Sequence, residues 1–283
     1  MRKHTMGLLA MAAASTLALS ACGGGEVGEP TGGDDTAAGG DTIRIGIKYD
    51  QPGLGLQEGD TFTGFDTDVA RYVADKLGYS EDQIEFVETI SANRETALQN
   101  GDVDMIFATY SINDERKELV SFAGPYFVAG QDLLVAADNT DIKGPEDLEG
   151  KNLCSVTGST SAENIKTQYS EGVQLVERGG YAECATALAS GAVDAVTTDD
   201  IILAGLAATE ENAGKFKVVG APFSEERYGV GLPKDSDQCE DINAAITEMI
   251  EDGTWEELVT ANTEGADYTP NPDLNPPTPD ACA

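Results

Sequence analysis

The sequence predicts an α/β protein built as two lobes. Apolar strand segments alternate with amphipathic helical segments, and this alternation runs through twice in succession. Length agrees: 283 residues exceed what one small core holds and suit one large domain or two lobes.

In the first series, "TIRIGIKY" reads as a strand, with Ile43, Ile45 and Ile47 alternating toward a core. The stretch "GFDTDVARYVADKLGY" reads as a helix, because Phe65, Val69, Tyr72, Val73 and Leu77 recur at helical spacing and Gly78 stops it. "QIEFVETI" is a strand, "NRETALQNG" a short helix ending at Gly101, and "VDMIFATY" a buried strand. "NDERKELVSFA" begins a helix that Asn113 or Asp114 caps, and "GQDLLVAAD" returns to strand.

A second series begins near Ile142. "GPEDLEGKNLCSVTGSTSAENIKTQY" gives a short helix, a strand, a Gly/Ser/Thr turn and a helix. "VQLVERG", "AVDAVTTD", "FKVVGAPF" and "RYGVGLPK" read as strands, and "YAECATALASG" and "DIILAGLAAT" as helices. "CEDINAAITEMIEDGTWEELVTAN" is one or two amphipathic helices, broken at Gly253. The alternation predicts mainly parallel sheets, which hold ligands beyond the carboxyl ends of their strands. The expected division is residues 41–135 for the first lobe, 136–226 for the second, and 227–283 for a return segment and tail.

The totals exclude several function classes. A formal net charge of -34 argues against nucleic-acid binding, which needs clustered Lys and Arg. The one histidine, His4, lies in the leader described below, so Ser-His and Cys-His nucleophilic sites and His-ligated metal centres are not expected. No Gly-rich phosphate loop ending in Lys-Ser/Thr is present, and no carboxylate pair stands out. The expectation is therefore a protein without cofactor or metal, and not an enzyme.

The N-terminus reads as an address. Arg2 and Lys3 form a basic start, and Met6 to Leu19 is an apolar run too short for a permanent span. Leu19-Ser20-Ala21-Cys22 resembles the lipobox of bacterial lipoproteins. That implies a signal peptide over residues 1–21, lipidation of Cys22 and anchoring to the outer face of the cell membrane. The Gly-rich and acidic stretch up to residue 40 reads as a flexible tether. Four further cysteines remain, Cys154, Cys184, Cys239 and Cys282, an even number in an exported chain. Of the three possible pairings, Cys154–Cys184 with Cys239–Cys282 keeps each bridge inside one structural unit.

Polar groups collect at the expected strand ends. They are Lys48, Arg94, Ser111 and Arg116, the hydroxyls Thr157, Ser159 and Thr160 in "TGSTS", and Asp199 after "AVTT". Three cations stand where a strongly acidic chain can least spare them. Hydroxyls at a helix start add anion-binding N–H groups, and Asp199 adds a cation acceptor. A small ligand with two negative groups and one positive group suits the set. Separately, Asp199 could cap the helix "DIILAGL", and Lys48, Arg94 and Arg116 could be ordinary surface charges.

"GFDTDVAR", "ALQNGDVDMI", "SINDERKELVSFAGPYF", "LEGKNLCSVTGSTS" and "ALASGAVDAVTTDD" fall in order and register over Thr42 to Val259. Together they resemble the polar amino-acid substrate-binding proteins of ABC importers, and "IKYDQPGLG" with "SANRETALQNG" resembles the glutamate-binding branch. The resemblance implies a type II periplasmic-binding-protein fold, with two α/β lobes, two crossing strands as hinge, and the ligand in the cleft. It implies that Arg116 grips the α-carboxylate, joined from the second lobe by the backbone N–H of Thr160 near Thr157. Asp199, Ser111 and the carbonyl of Thr109 would hold the α-ammonium, while Lys48 and Arg94 would take the distal carboxylate. Relatives often stack an aromatic on the ligand just after the first strand. Here "DQPGLG" stands instead, leaving Tyr110 or Phe65 to supply an apolar wall. The implied partners are L-glutamate, ABC permease subunits and the membrane through the lipid, with the protein a monomer. Aspartate, glutamine or a broader polar set are alternative ligands. A dehydratase-like enzyme and a ligand-sensing ectodomain are alternative roles for such a chain.

Overall fold

The computed structural model describes residues 42–169 and 172–282. The leader, Cys22 and the tether fall outside the described residues. Among the described residues no helix is long and apolar enough to cross a membrane.

The chain opens with β1 (Ile43–Ile47), then a small antiparallel sheet of β2 (Asp50–Gln51), β3 (Gly55–Glu58) and β4 (Thr61–Thr63). There follow α1 (Phe65–Lys76), β5 (Ile84–Glu88), α2 (Arg94–Asn100), β6 (Met105–Phe107), α3 (Asp114–Leu119), β7 (Ser121–Ala129) and β8 (Gln131–Ala136). Next come β9 (Asn152–Val156), α4 (Thr160–Gln168), β10 (Gln174–Arg178), α5 (Tyr181–Ala189), β11 (Ala195–Asp199), α6 (Asp200–Ala208) and β12 (Phe216–Val218). The chain ends with β13 (Glu226–Leu232), α7 (Cys239–Glu251), α8 (Thr254–Thr263) and an extended tail.

Two five-stranded sheets result, ordered β5-β1-β6-β13-β7 and β10-β9-β11-β8-β12. Both are mixed, where mainly parallel sheets were expected: β13 runs antiparallel to β6 and β7, and β8 antiparallel to β11 and β12. The cause is the crossing. β7 leaves the first sheet and β8 enters the second after the single residue Gly130, so no helix intervenes to restore a parallel direction. The chain returns between Val218 and Glu226. The expected division after residue 135 falls inside β8, whose pairing places all of it in the second sheet.

β7 is the longest strand, yet the sequence reading ran its first residues into the preceding helix. Gly124-Pro125 interrupts its apolar run, and a proline lacks the N–H a ladder needs. β7 is an edge strand, where that loss is tolerated. The helix stops at Leu119 because Ser121 already pairs with Leu232 of β13.

The first core packs Ile43, Ile45 and Ile47 of β1 under Val69 and Val73 of α1, all buried. Each such side chain contributes about 1.5–3 kcal/mol through burial. Phe65 sits edge-on to Phe127 at 5.5 Å and to Trp255 at 6.2 Å, and the Trp255 indole N–H donates to the Tyr126 carbonyl at 2.7 Å. Leu133, Val135, Leu153, Ile165 and Ala195 form a core on the second sheet.

Disulfides join Cys154 to Cys184 and Cys239 to Cys282, the pairing favoured from sequence. The second ties the tail to α7. On its way the tail covers the free edge of β7: Asn275 accepts from the Val128 N–H at 3.0 Å and donates to its carbonyl at 2.8 Å. Asp280 then pairs with Arg227 at 2.8 Å. Replacing both Cys239 and Cys282 with Ser is expected to cost about 2–4 kcal/mol in denaturant unfolding and to expose the tail to limited proteolysis.

Candidate functional site

Lys48 follows β1 and Arg94 opens α2, at the carboxyl ends of β1 and β5. Arg116 lies in α3, beyond β6. All three are buried, with relative exposures of 4%, 2% and 7%. None is the surface charge it could have been. The Lys48 ammonium donates to Ser91 Oγ at 2.9 Å. Arg94 donates to the carbonyls of Ala108 at 3.1 Å and Thr109 at 3.3 Å, and lies over the Tyr110 ring at 4.2 Å. Arg116 donates to the Ser111 carbonyl at 2.7 Å and lies over the same ring at 5.0 Å. Only Arg116 has a carboxylate partner, Glu95 at 3.4 Å, which also accepts from the Tyr110 hydroxyl at 2.7 Å.

Among the described residues, Lys48 and Arg94 thus reach no carboxylate within ion-pair distance. Burial first, and Arg94 second, hold the Lys48 ammonium well below its ordinary pKa. Burial, then Arg116, brings Arg94 down to about 10. Charges buried without a counter-ion cost several kcal/mol each.

One carboxylate stands behind them. Asp66, in the first turn of α1, is fully buried. It accepts from the Thr109 N–H at 2.7 Å and the Tyr126 hydroxyl at 2.8 Å. Thr109 has a φ of 45°, a left-handed conformation costly for a β-branched residue. Asp66 therefore holds a strained turn whose carbonyl is aimed at Arg94. The sequence marks "GFDTD" as a helix start and as part of a motif, but nothing in its spacing tells a buried anchor from an exposed helix-start acid.

The opposite pole comes from the second sheet and the return strand. Asp199 ends β11, is buried, and accepts from the Tyr228 hydroxyl at 2.6 Å through Oδ2. Its Oδ1 is buried without a hydrogen-bond partner, as are Arg94 Nε and Gln51 Nε2. Burial first, then Glu226, pushes its carboxyl well above the ordinary range, and Arg94 pulls it back. Asp199 makes no side-chain cap to α6. Asp200 instead clips the crossing, accepting from the N–H groups of Ile201 at 2.8 Å and Gly130 at 3.3 Å.

The sheets are bridged by a hydroxyl chain. Thr160 donates to Glu226 Oε2 at 2.7 Å, so in its 3.3 Å contact with Ser111 the serine is the donor. The Gly158 carbonyl, in the turn before α4, accepts from Arg116 at 3.0 Å and Arg94 at 3.3 Å. Ser159 caps α4, accepting from the Ala162 N–H at 3.0 Å. Thr157 is not drawn in: it is exposed, and its N–H is spent on the Arg178 carbonyl at 3.1 Å. Of the two candidate aromatics, Tyr110 lies under both guanidiniums, whereas Phe65 packs in the core. Glu226, Tyr228 and Gln51 were not anticipated. Glu226 and Tyr228 open an ordinary-looking strand, and Gln51 carries no charge to mark it.

The resulting site has a buried cationic floor on one sheet and a buried carboxylate facing it from the other. It is built to hold a small zwitterion carrying extra negative charge. The family model of bacterial extracellular solute-binding proteins, family 3, matches residues 43–262. This chain belongs to that family. Among its relatives is the glutamate-binding protein GluB of Corynebacterium efficiens, 47% identical over 90% of each chain. The ABC transporter glutamine-binding protein GlnH of Bacillus subtilis is 38% identical over 86% of this chain and 91% of its own. A solved ancestral arginine-binding protein bound to glutamine superposes with a TM-score of 0.71 at 37% identity, covering 78% of this chain and 96% of that one. As a family 3 solute-binding protein, the chain acts by capture and release outside the cytoplasm.

Asp66 and Asp200 are both pushed up to about 6, chiefly by burial and against their hydrogen bonds. An unfolded Asp titrates near 3.8. Between these values the native state holds more protons than the unfolded one, so each group's contribution falls as pH rises through the window. The loss is on the order of 2–3 kcal/mol for each. Denaturant stability is expected to be higher at pH 5 than at pH 7.5. Asp66→Asn, which still accepts from the Thr109 N–H, is expected to flatten that slope. An unchanged slope in this variant would show that Asp66 is not one of the titrating groups.

Proposed function

We propose that the protein is a lipid-anchored receptor that captures L-glutamate in the cleft between its sheets and delivers it to the permease of an ABC importer. The observation that carries this reading is the cationic floor: Lys48 and Arg94 are buried, and no carboxylate of the described residues lies within ion-pair distance of either. A ligand with two carboxylates supplies what the chain withholds. In this reading Arg116 forks onto the α-carboxylate together with the start of α4 at Thr160. Asp199, Ser111 and the Thr109 carbonyl take the α-ammonium. Lys48 and Arg94 take the distal carboxylate, and Tyr110 backs the two guanidiniums. GluB, a glutamate-binding protein, supports the ligand; GlnH, a glutamine-binding protein, makes glutamine a competitor.

The mechanism is population shift. Ligand rests first on the Arg116 side, and the second sheet then brings in Asp199 and Thr160. Only the closed form makes both sets of contacts, so the ligand favours it by that difference. The closed monomer presents both lobes to the permease, held near the membrane by lipid on Cys22.

Titration calorimetry on protein lacking residues 1–22, refolded to strip carried-over ligand, tests the assignment. Glutamate is expected to bind more tightly than aspartate or glutamine. Lys48→Asp is expected to weaken glutamate by about 3 kcal/mol or more, and glutamine by less. Equal losses for the two would remove Lys48 from the distal pocket. In cells, Cys22→Ser is expected to abolish palmitate labelling and release the protein to the medium.

A further inference from the structure

Two glycines of the second lobe have no reason to be glycine within that lobe. Gly205 lies inside α6, where glycine costs about 1 kcal/mol relative to alanine. Gly180 precedes α5 with a φ of -145°, extended backbone that any residue adopts. What excludes a side chain comes from the other lobe. A Cβ on Gly205 would stand 2.1 Å from the Pro52 carbonyl oxygen, and the next nearest atoms also belong to Pro52. A Cβ on Gly180 would stand 2.2 Å from Asp50 Oδ2, and the three nearest atoms all belong to Asp50, here the end of a side chain that can turn aside only by giving up its place over α5. Contacts below 3.0 Å are essentially never made by real Cβ atoms.

The same approach supplies a missing cap. α5 starts at Gly180 with no capping side chain of its own. Asp50 Oδ2 accepts from the Ala182 N–H, in the first turn of α5, at 3.4 Å. A carboxylate there satisfies an orphan N–H and the positive end of a nine-residue helix. The stretch that replaces the expected ligand-stacking aromatic thus has a separate employment.

We propose that Asp50–Pro52 is the closing latch of this receptor: the Pro52 carbonyl seats against Gly205, and Asp50 caps α5 over Gly180. These are positioning residues for capture, setting how fully the lobes shut on the ligand. The proposal rests on the capture reading above, but not on which amino acid is captured.

Gly205→Ala, Gly180→Ala, Asp50→Ala and the Asp50→Ala/Gly180→Ala double variant test it. The probe is whichever of L-glutamate, L-aspartate, L-glutamine and L-arginine the wild type binds most tightly. A wild type that prefers another ligand to glutamate counts against the ligand assignment and leaves the latch test intact. Ligand-free thermal midpoints are expected to be unchanged or raised for Gly205→Ala, because the clash exists only on closure. Its affinity is expected to fall by about tenfold or more, and its ligand-bound radius of gyration to stay near the ligand-free value. Gly180→Ala should weaken binding about as much as Asp50→Ala, because the carboxylate turns aside and the cap is lost in both. The double variant should bind like Asp50→Ala alone, since removing the carboxylate removes the clash. That non-additivity distinguishes a latch from a glycine required for chain geometry. Wild-type affinity in Gly205→Ala, a lowered ligand-free midpoint in that variant, or full additivity in the cycle would each overturn the proposal.

Discussion

The structure depends on positive charge buried without a counter-ion. In a chain of net charge -34, acidic side chains are abundant enough to neutralise any cation that the fold leaves accessible. Lys48 and Arg94 are kept from them. Their hydrogen bonds go to a serine hydroxyl and to backbone carbonyls, groups that orient a cation without discharging it. Tyr110 adds a ring face under both guanidiniums, which stabilises positive charge while leaving the donor edges free. The remaining cost of burial is borne by the cores beneath both sheets, and a dianionic ligand would offset it.

Asp66 shows how narrowly this is balanced. It lies close enough that Lys48 and Arg94 pull its pKa down, yet its two bonds go to Thr109 and Tyr126 rather than to either cation. It therefore contributes field without occupying the cations' donor positions. Its grip on Thr109 also maintains a left-handed backbone turn that only an external hydrogen bond would sustain in a β-branched residue. Charge, strain and orientation at the first-lobe half of the site meet in this one carboxylate.

Much of this was legible in the sequence, and what was not has identifiable causes. Period-2 and period-3.6 patterns marked β1 and α1 because each presents a continuous apolar face, and short apolar runs marked β9 and β11, which are buried on both faces. β7 was hidden by Gly124-Pro125, which a sequence reads as a break and an edge strand tolerates. β2–β4 are too short to show a period. The reversed directions of β8 and β13 follow from two crossings without a helix, at Gly130 and between Val218 and Glu226, which are properties of connection and leave no trace in composition. At the site, cations at strand ends were conspicuous in an acidic chain, and Asp199 was marked by its strand. Glu226, Tyr228 and Gln51 were not, since each looks like ordinary strand or turn chemistry until the fold brings it beside a residue far away in sequence. Thr157 differs the other way: of the hydroxyls in its turn, Ser159, Thr160 and Ser161 are drawn inward, while Thr157 stays exposed.

The hinge and the cleft are also one mechanical system. Asp200 binds the Gly130 N–H at the first crossing, next to Asp199, whose carboxylate faces the cationic floor. Glu226, the first residue after the second crossing, receives the Thr160 hydroxyl that also meets Ser111. Each crossing is thus bonded within one or two residues of a group that meets the other sheet. A rotation at the crossings must move Asp199 and Thr160 together relative to Arg94, Ser111 and Arg116. The coupling runs through the chain for Asp199, next to Asp200, and through the hydrogen bond to Glu226 for Thr160. Packed sheets rotate as units and do not deform residue by residue.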